Sequence, residues 1–203
     1  MGTVKSRRTE YAEQTRAALV EAAAAAFAKH GFESTSINEI AAAVRVTKGA
    51  VYHHFADKKS LFEAVVEHHS QIAQCKVYEA ISEHPHDIWA AAMAGLRATL
   101  DICADPVAGR LIYLEGPAGL GWRRWRVSER RYTHRNVRQL LVGGVQAGLY
   151  PDDLPVEAMT HVMAGMITHA GIALAEAPSR QRKRIRGDLQ AAIERVLAGI
   201  RCS

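Results

Sequence analysis

The sequence predicts an all-α chain, on three observations. Alanine is abundant, proline accounts for only six of 203 residues and runs of β-branched residues are rare, a composition that favours helix. Apolar residues recur at i, i+3, i+4 and i+7 instead of alternating. Residues that start and stop helices cut this pattern into segments of helical length. The expected architecture is a three-helix N-terminal domain over residues 1–57 containing a helix-turn-helix, followed by a larger helical domain over residues 58–203.

The first helix spans about Tyr11 to His30, with Leu19, Ala22, Ala23, Ala26 and Phe27 as its buried stripe. Gly31 is placed to end it in a left-handed cap, with Phe32 as the accompanying apolar contact. Ser36 and Glu39 match a capping box, so a second helix starts at Ile37. Its apolar face is Ile37, Ile40, Ala41 and Val44. Arg45 and Val46 make a turn, and Thr47 caps a third helix of about two turns. Val51 and Phe55 point inward. Thr47, Lys48, Gly49, Ala50, Tyr52, His53 and His54 are left outside. A helix this short is unstable alone, and an exposed lysine, phenol and imidazoles fit insertion into a DNA major groove. Asp57 caps a fourth helix that runs to about Ser82. Lys58, at its first position, opposes the helix dipole. The compensating group is a DNA phosphate, or else the lysine is solvated.

Phe27, Gly31 and Phe32, then Thr35, Ser36, Ile37, Ile40 and Ala41, then the run Val46 to Phe55, then Asp57, Lys58 and Leu61 resemble the tetracycline-repressor (TetR) family of bacterial transcription regulators. The resemblance covers roughly residues 12–66. It implies an all-helical homodimer that binds a palindromic operator and releases it when a small ligand enters the C-terminal domain. The family carries Gly where this chain has Arg45. If that turn position needs a positive φ, a non-Gly residue costs about 1 kcal/mol or more. Either the turn has another geometry or Arg45 is kept for a phosphate. On this reading Tyr52, Lys48 and His53 are the main contacts of the reading helix. Thr47, Thr35 and Lys58 grip phosphates, and Ser36, Arg45, Gly49, Ala50 and His54 complete the DNA-facing set.

Beyond residue 82, Glu83 to Asp87 break the helix around Pro85. Ile88 to Cys103 form the next one, with Trp89, Met93, Leu96 and Leu100 on one stripe. Asp105-Pro106 opens a helix carrying Leu111 to Leu114. The glycine-rich segment Glu115–Gly121 lacks the GK[ST] ending of a phosphate loop and reads as a connector near a cavity. Residues 122–138 hold seven arginines. On a wheel of ~100° per residue, Arg123, Arg124, Arg126, Arg130, Arg131, Arg135 and Arg138 occupy one half. Trp122, Trp125, Glu129, Tyr132, Asn136 and Leu140 occupy the other. The arginine half reads as a solvated face, with a second nucleic-acid site as the alternative. The aromatic half reads as a cavity wall, because an unpaired buried Glu129 is costly; its alternative is a pair with Arg97 or Arg110. Trp89, Met93, Tyr113, Met163 and Met166 join the candidate ligand set, and Met159, Met163 and Met166 form a pliable stripe.

The last two helices cover about Val156 to Glu176 and the segment after Pro178-Ser179. Ala164, Gly165, Ala170, Gly171 and Ala173 allow close approach. Ile185, Leu189, Ile193, Val196, Leu197 and Ile200 make a long apolar stripe. These helices resemble the family's four-helix dimer interface, with Gly165, Leu189, Ile193 and Val196 at its centre; an ordinary intrachain core is the alternative.

The formal net charge is +5. Part of it sits in an N-terminal arm with Lys5, Arg7 and Arg8, read as either a solvated tail or a minor-groove contact. Cys75, Cys103 and Cys202 are too far apart for a disulfide framework or a CxxC site, which points to a reducing cytoplasm. No hydrophobic leader opens the chain and no uninterrupted apolar run is long enough to span a membrane. The ten histidines lack ligand spacing, so no metal or cofactor is expected. No nucleophile elbow, HExxH or P-loop is present, so no catalytic residues are assigned. The expected partners are double-stranded operator DNA, a small effector and a second copy of the chain. The effector is expected to be a cationic or neutral aromatic compound, with an anion such as an acyl-CoA as the alternative. The competing function is an enzyme or carrier that retains the helix-turn-helix as scaffold.

Overall fold

A computed structural model describes residues 7–202, without the side chains of Arg7 and Arg8. The N-terminal arm with Lys5 therefore lies largely outside the described residues. The helices are α1 (Arg7–His30), α2 (Ile37–Ala43), α3 (Lys48–His54), α4 (Lys58–Ser82) and α5 (Ile88–Ala104). Next come α6 (Ala108–Arg110), a π-helical stretch (Leu111–Glu115) and α7 (Gly116–Leu120), which follow one another without a break. The same holds for α8 (Trp122–Glu129), a second π-helical stretch (Arg130–His134) and α9 (Arg135–Gln146). Helices α10 (Val156–Glu176) and α11 (Ser179–Gly199) close the chain. Among the described residues there is no strand.

The caps follow the residue chemistry. Ser36 Oγ accepts the Glu39 amide at 3.1 Å, while the Glu39 carboxylate lies 3.4 Å from His30 Nε2. Thr47 Oγ1 accepts the Ala50 amide at 3.1 Å. Asp57 and Ser60 form a reciprocal capping box at the start of α4. Gly31 has φ +83° and its amide bonds to the Phe27 carbonyl at 2.9 Å. The expected left-handed cap is present in its single-bond form.

Two cores organise the chain. The first joins α1, α2 and α3 to Leu61, Phe62, Val65 and Val66 of α4, and takes in Leu111 and Leu120 from the α6–α7 segment. Phe27, Phe32 and Phe62 form its aromatic centre, with ring centroids 4.8–5.8 Å apart. The second is built from Leu96, Leu100, Cys103, Tyr113, Trp125, Ala170, Leu174 and Ile193. The division expected at residue 57 falls at the α4 cap, but α4 belongs to the first core for its opening turns and flanks the cavity further along. The domains share a helix.

The segment expected to be a glycine-rich connector is helical as far as Leu120 and ends at Gly121, φ +83°. Gly116 and Gly119 sit at tight contacts. A Cβ at Gly116 would stand 2.9 Å from Trp125 Cδ1, and one at Gly119 would stand 2.5 Å from Phe62 Cε1. Helix α10 is 21 residues long and apolar enough to cross a bilayer by length and composition. It packs against α5, α9 and α11, and Gly171 lets the Tyr113 ring lie against its backbone.

Candidate functional site

The surface of α3 is assembled by its neighbours. Val51 and Phe55 are buried in the first core, and the Arg16 guanidinium of α1 stands 5.0 Å from the Phe55 ring centre. Lys48, Gly49, Tyr52 and His53 are thereby left exposed, with Ala50 and His54 half-buried. Lys48 Nζ lies 5.9 Å from the Tyr52 ring centre. A Cβ at Gly49 would meet nothing nearer than Thr47 Oγ1, at 3.8 Å, so no contact among the described residues requires glycine there. Burial, with the charges of His53 and Arg16, lowers the His54 pKa.

Arg45 is exposed and has φ +57°. The turn thus demands the left-handed conformation, and a side chain with a Cβ occupies it. Two expected phosphate ligands are placed otherwise. The Thr35 side chain is buried at 2% exposure. Its hydroxyl donates to the Gly31 carbonyl at 2.7 Å, with the Ala26 carbonyl at 3.2 Å. Lys58 directs its ammonium into the α1–α2 turn, donating to the carbonyls of Phe32, Glu33 and Thr35 at 2.9, 3.1 and 3.2 Å. The Phe32 ring centre lies 4.6 Å away. The group that compensates this cation is a set of carbonyls, which also answers the unfavourable dipole position. Neither phosphate nor bulk water is needed.

The second candidate site is a cavity of about 1170 Å³, counting its open mouth, between α4, α5, α8–α9, α10 and α11. Of the expected ligand set, Tyr113, Trp125, Glu129, Tyr132, Asn136 and Met163 line it. Trp125 is fixed by an indole N–H that donates to the Ile112 carbonyl at 2.7 Å. Asn136 and Gln74 exchange two amide bonds, at 2.9 and 3.1 Å. The Tyr132 hydroxyl donates to Glu67 at 2.7 Å. Glu129 pairs with neither alternative partner, because Arg110 is taken by Glu115 at 3.1 Å and no bond to Arg97 exists. Burial raises the Glu129 pKa against the opposing pull of Arg126, His134, Arg130 and His161.

Four expected ligand residues lie elsewhere. Trp122 is 55% exposed at the start of α8, leaning on Trp125. Its i, i+3 relation to Trp125 puts it at the edge of the wall. Trp89 lies under the Arg201 guanidinium. Met93 is buried off the cavity, and Met166 packs on the second core. The arginines of residues 123–138 are exposed apart from half-buried Arg126, as a solvated face requires. Arg124 reaches Glu63, Arg131 reaches Glu67, and Arg138 reaches Glu157.

Sequence reasoning missed the α4 wall: Val66, Ser70, Ala73, Gln74, Val77 and Ile81. Its signal was present as polar Ser70 and Gln74 inside an apolar i, i+4, i+7/i+8, i+11 stripe. Thr99 and Ile167 were missed as well. The expected dimer residues divide. Ile193, 6% exposed, lines the cavity, and Leu189 packs on the second core. Val196 is 43% exposed, and a Cβ on Gly165 would meet open space. The stripe at 185, 189, 193 and 197 thus faces inward, and the outward face of α11 is the one through Val196. Burial pushes the Cys103 thiol up to about 12 and the Tyr113 phenol well above its ordinary value, so neither is ionised near neutral pH.

The family profile described as "Bacterial regulatory proteins, tetR family" matches residues 19–65, and "Tetracyclin repressor-like, C-terminal domain" matches residues 89–200. The transcriptional regulator AcrR of Shigella flexneri is 43% identical over 63 residues, which is 30% of this chain and 29% of that protein. The TetC protein of transposon Tn10 from Escherichia coli is 30% identical over 118 residues, 58% of this chain and 59% of TetC. These alignments span less than two thirds of either relative. A TetR-family transcriptional regulator from Pectobacterium atrosepticum superposes with a TM-score of 0.81 at 27% identity, covering 98% of this chain and 99% of that one. The fatty acid degradation regulator FadR of Bacillus halodurans, at 16% identity and TM-score 0.74 over 97% of both chains, shares the fold. With both domains matched by family profiles and the exposed α3 in place on its core, the chain belongs to the TetR family of bacterial regulatory proteins.

Proposed function

We propose that this protein is a transcriptional repressor that binds a palindromic operator as a homodimer and is released by a neutral or cationic lipophilic effector. Tyr52, Lys48 and His53 read base edges. Gly49 and Ala50 let the backbone approach the duplex, and Ser36, Thr47, Arg45 and His54 border the phosphates. Two copies join through the outward faces of α10 and α11, around Gly165 and Val196.

The observation that carries the effector class is the charge inventory of the cavity. Among the described residues Glu129 is its one charged lining residue, and no Lys, Arg or His lines it. An acyl-CoA or other anion would bring negative charge against the one lining carboxylate, while Arg126, Arg130, His134 and His161 act on it from outside the lining. A flat cation meets Glu129 and the faces of Trp125 and Tyr132. Met163 and the aliphatic lining accept varied shapes.

Glu129→Gln tests this. The variant keeps shape and removes charge. Its affinity for a cationic dye should fall about tenfold, as the loss of a charge-assisted contact of roughly 1.5 kcal/mol implies, while neutral ligands and selected operator duplexes bind as before. Equal affinity for cationic dyes in both proteins, or operator release by acyl-CoA thioesters alone, refutes the effector class. Operator binding itself is tested by selecting duplexes from random-sequence DNA. Enrichment of a palindrome whose binding weakens with salt is the expected result. Catalytic turnover without any DNA preference would refute the repressor reading.

A further inference from the structure

The left-handed cap at Gly31 has a consequence at the next residue. In its single-bond form the Gly31 amide takes the Phe27 carbonyl, and the Phe32 N–H is left without a helical partner. That N–H donates across the domain junction to Glu115 Oε2 at 2.8 Å. Glu115 ends the first π-helical stretch. Its other oxygen is held by Arg110 Nε and Nη2 at 3.2 and 3.1 Å, and its side chain is only 14% exposed. Two and three residues earlier on the same stretch, Tyr113 and Ile112 line the cavity. On the far side of the bond, the turn runs straight into Ser36, the cap of α2. Lys58 and Thr35 tie the carbonyls of that turn to the head itself. The Glu115 carboxylate ties the turn to the π-helical part of the cavity wall.

We propose that Glu115 is the positioning residue through which the cavity wall sets the helix-turn-helix. Its carboxylate fastens the α1–α2 turn to the π-helical stretch, so that displacement of Ile112 and Tyr113 by an occupant is delivered at the Phe32 amide and moves α2. A π-helical stretch suits this task, since its wider hydrogen-bond ring is a local departure from the α ladder and can give without unfolding the helices on either side. Arg110 aims the carboxylate and leaves Oε2 for the amide. The inference rests on the operator-binding reading above, but its first readout needs no DNA.

The experiment uses the full chain, wild type, Glu115→Ala, Glu115→Gln and Arg110→Ala. Amide hydrogen exchange is followed over residues 27–36, with and without Nile red as a neutral cavity probe. Affinity for a duplex selected with the wild-type protein is measured in parallel. Glu115→Ala should exchange about tenfold faster at residues 31–36, the loss expected for a bond to a charged acceptor. Nile red should accelerate this segment in the wild type and leave Glu115→Ala unchanged, with the probe bound equally well by both. Glu115→Gln retains an oxygen for the Phe32 amide and should keep the response. If Glu115→Ala does not fold, Arg110→Ala decides: a faster segment 31–36 supports the clamp, and wild-type exchange there overturns it. The proposal also falls if Nile red binds and accelerates residues 31–36 to the same extent in wild type and Glu115→Ala. A wild-type protein that selects no duplex refutes the operator reading alone, since the exchange measurement still stands.

Discussion

Arg45→Gly is the sharpest test of the turn between α2 and α3. Arg45 holds φ +57°, where a Cβ crowds the following carbonyl at a cost of about 1–2 kcal/mol. Glycine removes that cost but adds freedom to the unfolded chain, worth roughly 0.5–1 kcal/mol in the opposite direction. The net expectation is a gain of about 0.5–1 kcal/mol, or roughly 1–4 °C in Tm for a chain of this size. Arg45→Ala separates strain from charge: it keeps the crowded Cβ and loses the guanidinium, so its stability should match the wild type. Thermal unfolding of all three proteins at one protein concentration gives the comparison, since the proposed dimer would make Tm concentration-dependent. Binding to a selected duplex across a salt series adds the second axis. If Arg45 holds a phosphate, both variants lose about 0.9 of salt slope per subunit, or about 1.8 for the proposed dimer. Should Arg45→Gly prove no more stable than Arg45→Ala, the strain argument is wrong.

Three further outcomes are expected. Lys58→Met should lower stability by about 1–2 kcal/mol by leaving three turn carbonyls without their donor, with an unchanged salt slope for DNA; a slope flatter by about one per subunit would restore a phosphate contact. Val196→Glu should yield monomers in sedimentation while the α-helical signal is kept, because Val196 points out of the subunit; a variant that remains dimeric moves the interface elsewhere. Burial raises the Glu129 pKa, so the folded chain holds this proton more tightly than the unfolded one. Its contribution to stability is present at acid pH and is lost as pH rises through the raised value. Glu129→Gln should therefore unfold at higher temperature than the wild type above that window, and cationic-dye affinity of the wild type should grow with pH across it. A dye affinity that is flat with pH would take the carboxylate out of the site.

What the sequence determined by itself is what local chemistry controls. Ser36, Thr47 and Asp57 cap the helices that follow them, because each oxygen bonds an amide three residues ahead. Gly31 ends α1 for an equally local reason. The face of α3 follows from Val51 and Phe55 facing inward. The wheel of residues 122–140 separated arginines from cavity wall because that stretch is helical throughout. Tertiary structure decided everything that depends on partners distant in the chain. Lys58 and Thr35 look like DNA ligands until the carbonyls of a turn as many as 26 residues away are seen to receive them. Ser70 and Gln74 stand as polar residues in an apolar stripe of α4, and only the packing shows Gln74 bonded to Asn136 in the cavity wall. The stripe of α11 carries enough apolar residues for a core or an interface, and the packing of α5 and α10 against it assigned Ile193 inward and Val196 outward. An apolar period names the face that must be covered. Which element covers it is set by where the rest of the chain has to go.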